Sequence, residues 1–313
     1  MTTSSIASSA EAYIQVCLLT YKRPELLRQT LLSLCDQVIP DPMVRMHLLI
    51  VDNDDAGSGK AIFNSTLAGS SIPARYVCEP GRGIGNARNR ALSESAEMDY
   101  IAFLDDDEVA PPEWLYQLYK TLQQQHADIV TGPVTPNFLD APSWIVRGGF
   151  FRMAPRTTGE LIDFVAAANV LFRADLARTY SFDRRFDATG GEDTHFFMRM
   201  KRDGLRPVWC QEAEVIETIP ADRTTVRWML RRAQSEANRY TRCCLDLDHS
   251  LGTRAKRLGK ALLGASAGIA MLPLGLIRRR YAMRGLQWLY RAIGTCAALG
   301  GSHTIYYRLD HGL

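Results

Sequence analysis

An α/β fold, built on a mostly parallel sheet with helices on both faces, is predicted by two features of this 313-residue chain. Strand-like and helix-like segments alternate from the start, and the strand-like ones are almost continuously apolar, as strands buried on both faces must be. A third feature places the ligand. Four successive strand-like runs end in polar residues: Thr20-Tyr21, Asp52-Asn53, Glu79-Pro80 and Asp105 to Asp107. Open parallel sheets bind ligands at the carboxyl ends of their strands, so this edge is the expected site.

The elements follow in order. Residues 13–21 (YIQVCLLTY) read as the first strand. A helix opened by Pro24 follows, with Leu27, Leu31 and Leu34 on one face. HLLIVDN (47–53) and ARYVCEP (74–80) are the next strands, and the latter leads into the helix IGNARNRALSESA. IAFLDDD is the fourth strand, and a helix runs from Pro111-Pro112 through WLYQLYKTLQQQH. After ADIVTGPVTP the pattern loosens across 137–165, a Pro-, Gly- and aromatic-rich stretch of a length expected to be functional or mobile. AAANVLFR is a short strand, and Gly190-Gly191 precede a helix beginning at Glu192 and Asp193. RPVWCQEAEVIETI then reads as one strand and TTVRWMLRRAQSEANRYTR as a basic helix.

The last quarter changes character. Ala261–Ile277 carries no charge and lies between Lys256, Arg257 and Lys260 on one side and Arg278, Arg279 and Arg280 on the other. A second apolar segment, LQWLYRAIGTCAALGG, follows. The length is at the lower limit of a spanning helix, and Pro273 with several glycines weakens that reading. A membrane-surface or re-entrant hairpin is favoured, with a hairpin packed on the domain as the alternative. The expected layout is a flexible tail at 1–12, a catalytic domain at 13–245 divided near 135/136, and a helical apolar and basic appendage at 246–313.

Composition bounds the function. A net charge of +3, with 46% hydrophobic and 23% charged residues, describes an ordinary globular protein and no nucleic-acid binder. Seven cysteines form no metal-type spacing; Cys17, Cys35 and Cys78 read as reduced core residues of a cytosolic protein. The first dozen residues lack the basic and apolar regions of a secretory signal.

The chemistry concentrates in DYIAFLDDDE, where an apolar strand runs into four carboxylates, Asp105 to Glu108. Partly desolvated, these repel one another unless they splay into water or surround a cation. An extended backbone would put Asp105 and Asp107 on one side, and Asp106 with Glu108 on the other. An acidic loop cap is the rival reading. Two other matches fail: EPGRGIGNARN has Asn86 where a dinucleotide fingerprint needs its third glycine, and DNDDAG has Phe63 where a calcium loop needs glutamate.

Taken in order, LLTYKRPELL, VDND, EPGRGIGNARNRAL, IAFLDDDE, ANVLF and GGEDTHFF resemble the motifs of family 2 glycosyltransferases with the Rossmann-like GT-A fold, particularly succinoglycan-type exopolysaccharide glucosyltransferases. The resemblance covers about residues 13–242. It implies an inverting transfer of a hexose from a UDP-linked sugar to a glycan or polyprenyl-linked acceptor, at the cytoplasmic face of the inner membrane. It also implies roles. Thr20, Tyr21 and Arg23 would lie at the nucleotide, Asp52 would accept a hydrogen bond from the base, and Arg88 would lie near the nucleotide. Asp107 with Asp105 would hold Mg²⁺ or Mn²⁺ against the diphosphate, and Asp106 would make a ribose or structural contact. Asp193 would be the general base, with Glu192 binding hydroxyls. The rival for both acids is simple stabilisation of a helix N-terminus. His195 stands where the family often has an acid, and no QxxRW motif is present, which favours single-sugar addition over polymerisation. A sugar nucleotidyltransferase and a non-catalytic nucleotide- or carbohydrate-binding module are the rival functions.

Overall fold

The computed structural model describes residues 11–302. Most of the tail expected at 1–12, and the last eleven residues of the appendage, lie outside that range. Of the expected tail, Glu11 pairs with Arg45 and Ala12 already belongs to the first strand.

The amino-terminal half alternates as expected: β1 (Ala12–Thr20), α1 (Pro24–Cys35), β2 (Val44–Asp52), α2 (Lys60–Thr66), β3 (Ala74–Cys78), α3 (Ile84–Glu94) and β4 (Tyr100–Asp105). A two-residue β5 (Glu108–Val109), α4 (Trp114–Gln124), β6 (Ile129–Thr131), β7 (Val134–Phe138), α5 (Ser143–Gly148) and β8 (Asn169–Arg173) come next. Then follow α6 (Glu192–Arg202), β9 (Pro207–Trp209), β10 (Val215–Ile219) and three long helices, α7 (Val226–Leu247), α8 (Leu251–Met271) and α9 (Arg279–Leu299).

Seven strands form the main sheet in the order β3-β2-β1-β4-β8-β6-β9. The first four are mutually parallel, and β8 runs antiparallel to both its neighbours. Three strands, β5-β10-β7, make a small second sheet. The segment expected as one strand, RPVWCQEAEVIETI, is therefore two: β9 in the large sheet and β10 in the small one. Asn169 makes the crossing possible. Its amide donates to the carbonyls of Pro133 (3.1 Å) and Ala213 (2.7 Å) and accepts from Trp114 Nε1 (2.8 Å), so the buried backbone between the sheets keeps its partners.

Each face of the main sheet is sealed by helices. Leu27, Leu31 and Leu34 of α1 join Trp114, Leu115 and Leu118 of α4 over Ile14, Val16 and Leu18. On the other face, Ala87 and Ala91 of α3 and Phe196, Phe197 and Met200 of α6 cover Leu49, Val51, Phe103 and Phe172. Phe182 stacks on Phe196 at 4.0 Å between centroids. Each such side chain is worth about 1.5–3 kcal/mol when fully buried, which holds α6 firmly against the sheet.

The stretch at 137–165 is anchored by a few side chains, while most of its residues are exposed. Phe138 and Phe151 meet edge to face, Phe151 stacks on Trp228 of α7, and Ile162 and Val165 enter the core. All seven cysteines are free thiols; Cys17 is buried as expected, but Cys35 is only half-buried and Cys78 is exposed.

α8 and α9 form a helical hairpin joined by a turn at Pro273–Leu276. α9 docks on α7, where a Cβ at Gly294 would lie 2.0 Å from the Gln234 carbonyl and where Asn238 of α7 donates to the Gly294 carbonyl at 3.1 Å. α8 is the outer helix. Its stretch Leu251–Leu276 is long and apolar enough to cross a bilayer by length and composition. Leu263 and Leu276 are 74% and 94% exposed, with Leu262, Ile269 and Ile277 also open to solvent. The packed-hairpin reading thus describes α9, whereas among the described residues nothing covers the outer apolar face of α8.

Because Gly294 is the point of closest backbone approach, Gly294→Leu should destabilise the protein by about 1–3 kcal/mol through overpacking. Chemical denaturation of the full chain checks this; unchanged stability would mean that α9 is not held as described.

Candidate active site

Register brings the strand ends level. Thr20 pairs with Asp52, Asp52 with Cys78, and Leu19 with Asp105, so the four polar termini share one edge. The acidic run does not continue as an extended strand. Asp106 and Asp107 form the turn between β4 and β5, and the expected alternation is lost there. The buried Glu108 carboxylate folds back to accept from the Asp105 backbone N–H at 3.1 Å. Asp106 accepts from Thr20 Oγ1 at 2.7 Å and lies 3.5 Å from Arg23. Asp107 Oδ2 stands 3.4 Å from Arg23 and 3.6 Å from Arg223, which also reaches Glu217 at 3.4 Å.

Five carboxylates therefore crowd one edge of the fold, and each strand and loop that delivers one also brings desolvation. Burial, then repulsion from Asp107, raises the Asp105 carboxyl above its usual range. Burial pushes Asp106 up to about 6, against the attraction of Arg23 and the Thr20 hydroxyl. Glu108 and Glu217 are raised by burial first and by their acidic neighbours second. Excess negative charge on hard oxygen donors is the chemistry that Mg²⁺ or Mn²⁺ relieves, and Asp105 and Asp107 could hold such an ion. Sequence reasoning missed Arg223 and Glu217. Their only signal was an acid and a base within an ordinary strand and loop, on an element whose placement beside the acidic turn is tertiary.

On the other side of β1 the site is shaped by backbone capture. Asp52 is fully buried and accepts from the N–H groups of Asp54 (2.9 Å) and Gly59 (2.7 Å) and from the Tyr76 hydroxyl (2.5 Å). In this structure the Asp52 oxygens hold the 53–59 loop. Asn53 ties the next loop, donating to the carbonyls of Glu79 and Gly81 at 2.8 Å and accepting from Gly83 N at 3.1 Å. The glycines of EPGRGIGNARN also find their reason. Gly83 has φ +119°, and a Cβ at Gly85 would lie 2.2 Å from Asp187 Oδ1, which accepts from Gly85 N at 2.9 Å. They admit an aspartate of the chain itself.

Gly190 and Gly191, at φ +72° and +99°, swing the chain into α6. At its start Glu192 is buried against Arg88 Nη1 at 2.5 Å, and Arg88 also offsets the charge of Asp105. Arg88 thus links the acidic turn to α6. Burial raises the Glu192 carboxyl and Arg88 opposes that shift. The half-exposed Asp193 is differently placed. It accepts from Ala167 N at 3.4 Å and from its neighbour Thr194, and among the described residues no cation lies within 4 Å of it. Tyr21 is half-exposed at the end of β1 beside these groups in sequence, with Lys22 Nζ 5.0 Å from its ring centre.

His195 points elsewhere. Two residues past Asp193, it is rotated about 200° around α6. It pairs with Asp246 of α7 at 2.8 Å under the Phe186 ring. Asp183, His195 and Asp246 bring potential ligand atoms within 4.8 Å of one another, but Arg185 donates to both carboxylates and already neutralises them.

The chain belongs to glycosyltransferase family 2: the family model "Glycosyl transferase family 2" matches residues 15–181, and "Glycosyl transferase family group 2" matches 100–305. Its fold is of the GT-A type, as expected. The chain is 31% identical over 283 residues to the succinoglycan biosynthesis protein ExoM of Rhizobium meliloti (strain 1021), covering 88% of this chain and 90% of that one. Among solved structures it resembles the mannosyltransferase PcManGT from Pyrobaculum calidifontis, in complex with GDP-Man and Mn²⁺, with a TM-score of 0.64 at 18% identity over 93% of this chain and 88% of that one. It also resembles S. aureus TarS 1-349 in complex with UDP, with a TM-score of 0.52 at 15% identity over 95% and 93% of the two chains.

Burial depresses the His195 pKa, and although burial opposes it, hydrogen bonds from Arg185 and His195 hold Asp246 below its ordinary value. A folded-state pKa below the unfolded one means that acidification favours the unfolded chain, so for His195 stability should begin to fall below about pH 6.5. Thermal melting from pH 8 to 5 should show that loss, and His195→Gln should flatten it; an equally steep profile in the variant would contradict the assignment.

Proposed function

We propose that this enzyme is an inverting, metal-dependent hexosyltransferase. It moves a sugar from a UDP-linked donor to a glycan or polyprenyl-linked acceptor in the assembly of an exopolysaccharide. The observation that carries the reading is the pair at the head of α6. Glu192 is locked in a buried ion pair with Arg88, whereas the half-exposed Asp193 beside it has no ion-pair partner among the described residues. A general base must be able to reach and take a proton, and a carboxylate not engaged in an ion pair is available to an acceptor hydroxyl. The name of the ExoM relative supports the pathway, and the UDP and the GDP-Man with Mn²⁺ bound by the two structural relatives support a nucleotide-sugar donor.

The residues divide the work as follows. Tyr21 offers an aromatic face to the base, the loop built by Asp52 and Asn53 walls it, and Arg23 and Arg223 meet the diphosphate. Asp106 is engaged by Thr20 and Arg23, which supports a structural part for it. Asp105 and Asp107 would hold a divalent cation, which would supply positive charge to stabilise a departing nucleoside diphosphate. Arg88 positions α6 and Glu192, and Glu192 orients sugar hydroxyls. Asp193 takes the proton of the acceptor hydroxyl as that oxygen attacks the anomeric carbon in a single displacement. Residues 13–245 form the catalytic domain, its first part to about 135 for the donor and its second for the acceptor. The outer face of α8, apolar and bracketed by lysine and arginine, rests on the cytoplasmic leaflet of the inner membrane.

If Asp193 is the base, Asp193→Asn should bind donor normally in the presence of Mn²⁺ and lose about 10² to 10⁴ in transfer rate. An α-linked donor should give a β-linked product by NMR. Near-full transfer by the variant would remove Asp193 from this role, and a retained anomeric configuration would overturn the single displacement. Calorimetry of UDP binding with excess chelator tests the metal, with binding expected to be lost.

For the membrane contact, Leu263→Glu combined with Leu276→Glu should abolish sedimentation with anionic vesicles while leaving the fold intact, since both side chains are exposed. Undiminished sedimentation would exclude α8 as the contact.

A further inference from the structure

A cavity of about 530 Å³ opens where α7 ends and α8 begins, away from the acidic turn. Its floor is apolar, built from Phe186, Leu245 and Ala298, and its walls carry Arg185, Arg242, His249 and Arg254. Of these cations, Arg185 is spent on Asp183 and Asp246. Arg242 is not. Its guanidinium lies 5.1 Å over the Phe186 ring and donates to Thr189 Oγ1 at 2.5 Å, and burial lowers its pKa. Arg254, from the first turns of α8, donates to the Leu299 carbonyl at 3.3 Å. Among the described residues neither has a carboxylate within 4 Å. The one acid in the lining, Asp246, is already held by Arg185 and His195.

Two guanidinium groups without anionic partners, brought together from different helices over an apolar floor, make a site for an anion that carries an apolar body. Planar guanidinium forks match phosphate oxygens in pairs, and partial desolvation strengthens that contact. Position narrows the class further. Arg254 stands at the start of the helix whose outer face is open and apolar, so a molecule entering from a bilayer would meet this cavity first at its headgroup. We propose that the cavity binds the phosphate of a lipid headgroup, with Arg242 and Arg254 as the phosphate ligands and Phe186, Leu245 and Ala298 against the adjoining chain.

The assignment rests on the membrane-facing reading of α8 and deepens it: the hairpin supplies contact with the bilayer, and the cavity selects a phosphorylated lipid from it. The location also bears on transfer. Phe186 and Thr189 belong to the loop that runs into Gly191 and α6, so the cavity and Asp193 lie at the two ends of one short segment. A phosphorylated lipid seated there would sit on the acceptor side of the reaction.

The test uses the full chain and two soluble probes in calorimetry with chelator present: dihexanoyl phosphatidic acid below its micellar concentration, and inorganic pyrophosphate. The wild type should bind the phosphatidic acid, and Arg242→Gln and Arg254→Gln should each weaken it by about tenfold or more, the worth of a charged hydrogen bond. Pyrophosphate should bind more weakly because it leaves the apolar floor empty. No binding to the wild type, or unchanged binding to both variants, overturns the proposal. Pyrophosphate binding as tight as that of phosphatidic acid, and lost in the variants, overturns the lipid source in favour of a free phosphate compound. UDP affinity of both variants with Mn²⁺ should match the wild type, and so should the melting temperature of Arg254→Gln, whose side chain is exposed, which separates loss of this cavity from loss of fold or donor site. Vesicle sedimentation reads the α8 contact separately, so either idea can fail without the other.

Discussion

The molecule is organised around like charge that it cannot leave alone. Five carboxylates stand at or beside the end of β4, most of them taken out of water, and isolated buried charge costs several kcal/mol per ion in real proteins. The protein answers with arginines from three separate elements: Arg23 after β1, Arg88 on α3 and Arg223 before α7. Because each reaches the cluster from a different part of the chain, the same interactions that offset the repulsion also lock the two sheets and α6 into one arrangement. Removing Arg88 would leave the buried Glu192 carboxylate without its ion-pair partner, so the link between α3 and α6 is enforced by cost as much as by attraction.

This arrangement assigns different duties to residues of the same type. Asp52 and Asp187 are carboxylates at the active edge, yet both are turned toward backbone N–H groups, where they fix loops that a ligand would otherwise find slack. Asp106 is held by Thr20 and Arg23. Asp193 has a backbone N–H and its own neighbour as hydrogen-bond partners. Environment separates these acids, since their intrinsic chemistry is the same.

The carboxy-terminal hairpin extends the same logic to a different surface. α9 spends its small residues on close packing against α7, and α8 is left with leucines and isoleucines facing outward between two basic flanks. Such a face is costly in water unless it is covered, and the proposed bilayer contact would cover it while attracting the flanking charges. The arginine-lined cavity at the foot of α8 places a second, more selective contact next to the first.

By itself the sequence determined the alternating α/β order, the parallel core, the polar strand ends on one edge and the order of motifs that marks a family 2 glycosyltransferase. These are local matters: apolar runs, a proline at a helix start, a glycine pair before α6 and four acids after a strand are legible because each acts on its own neighbourhood. What the chain does between distant residues was decided by tertiary structure. Only the fold showed that DDDE turns instead of extending, that Asp52 faces a loop, that Glu217 and Arg223 join the acidic cluster, and that one strand-like run serves two sheets. It also sorted the three cysteines read as core, leaving Cys78 exposed and Cys35 half-buried, and anchored the stretch at 137–165 at Phe138 and Phe151. The reason is physical: a side chain's charge state and partners depend on what is brought within about 4 Å of it, and for these residues those partners lie many tens of positions away in the chain.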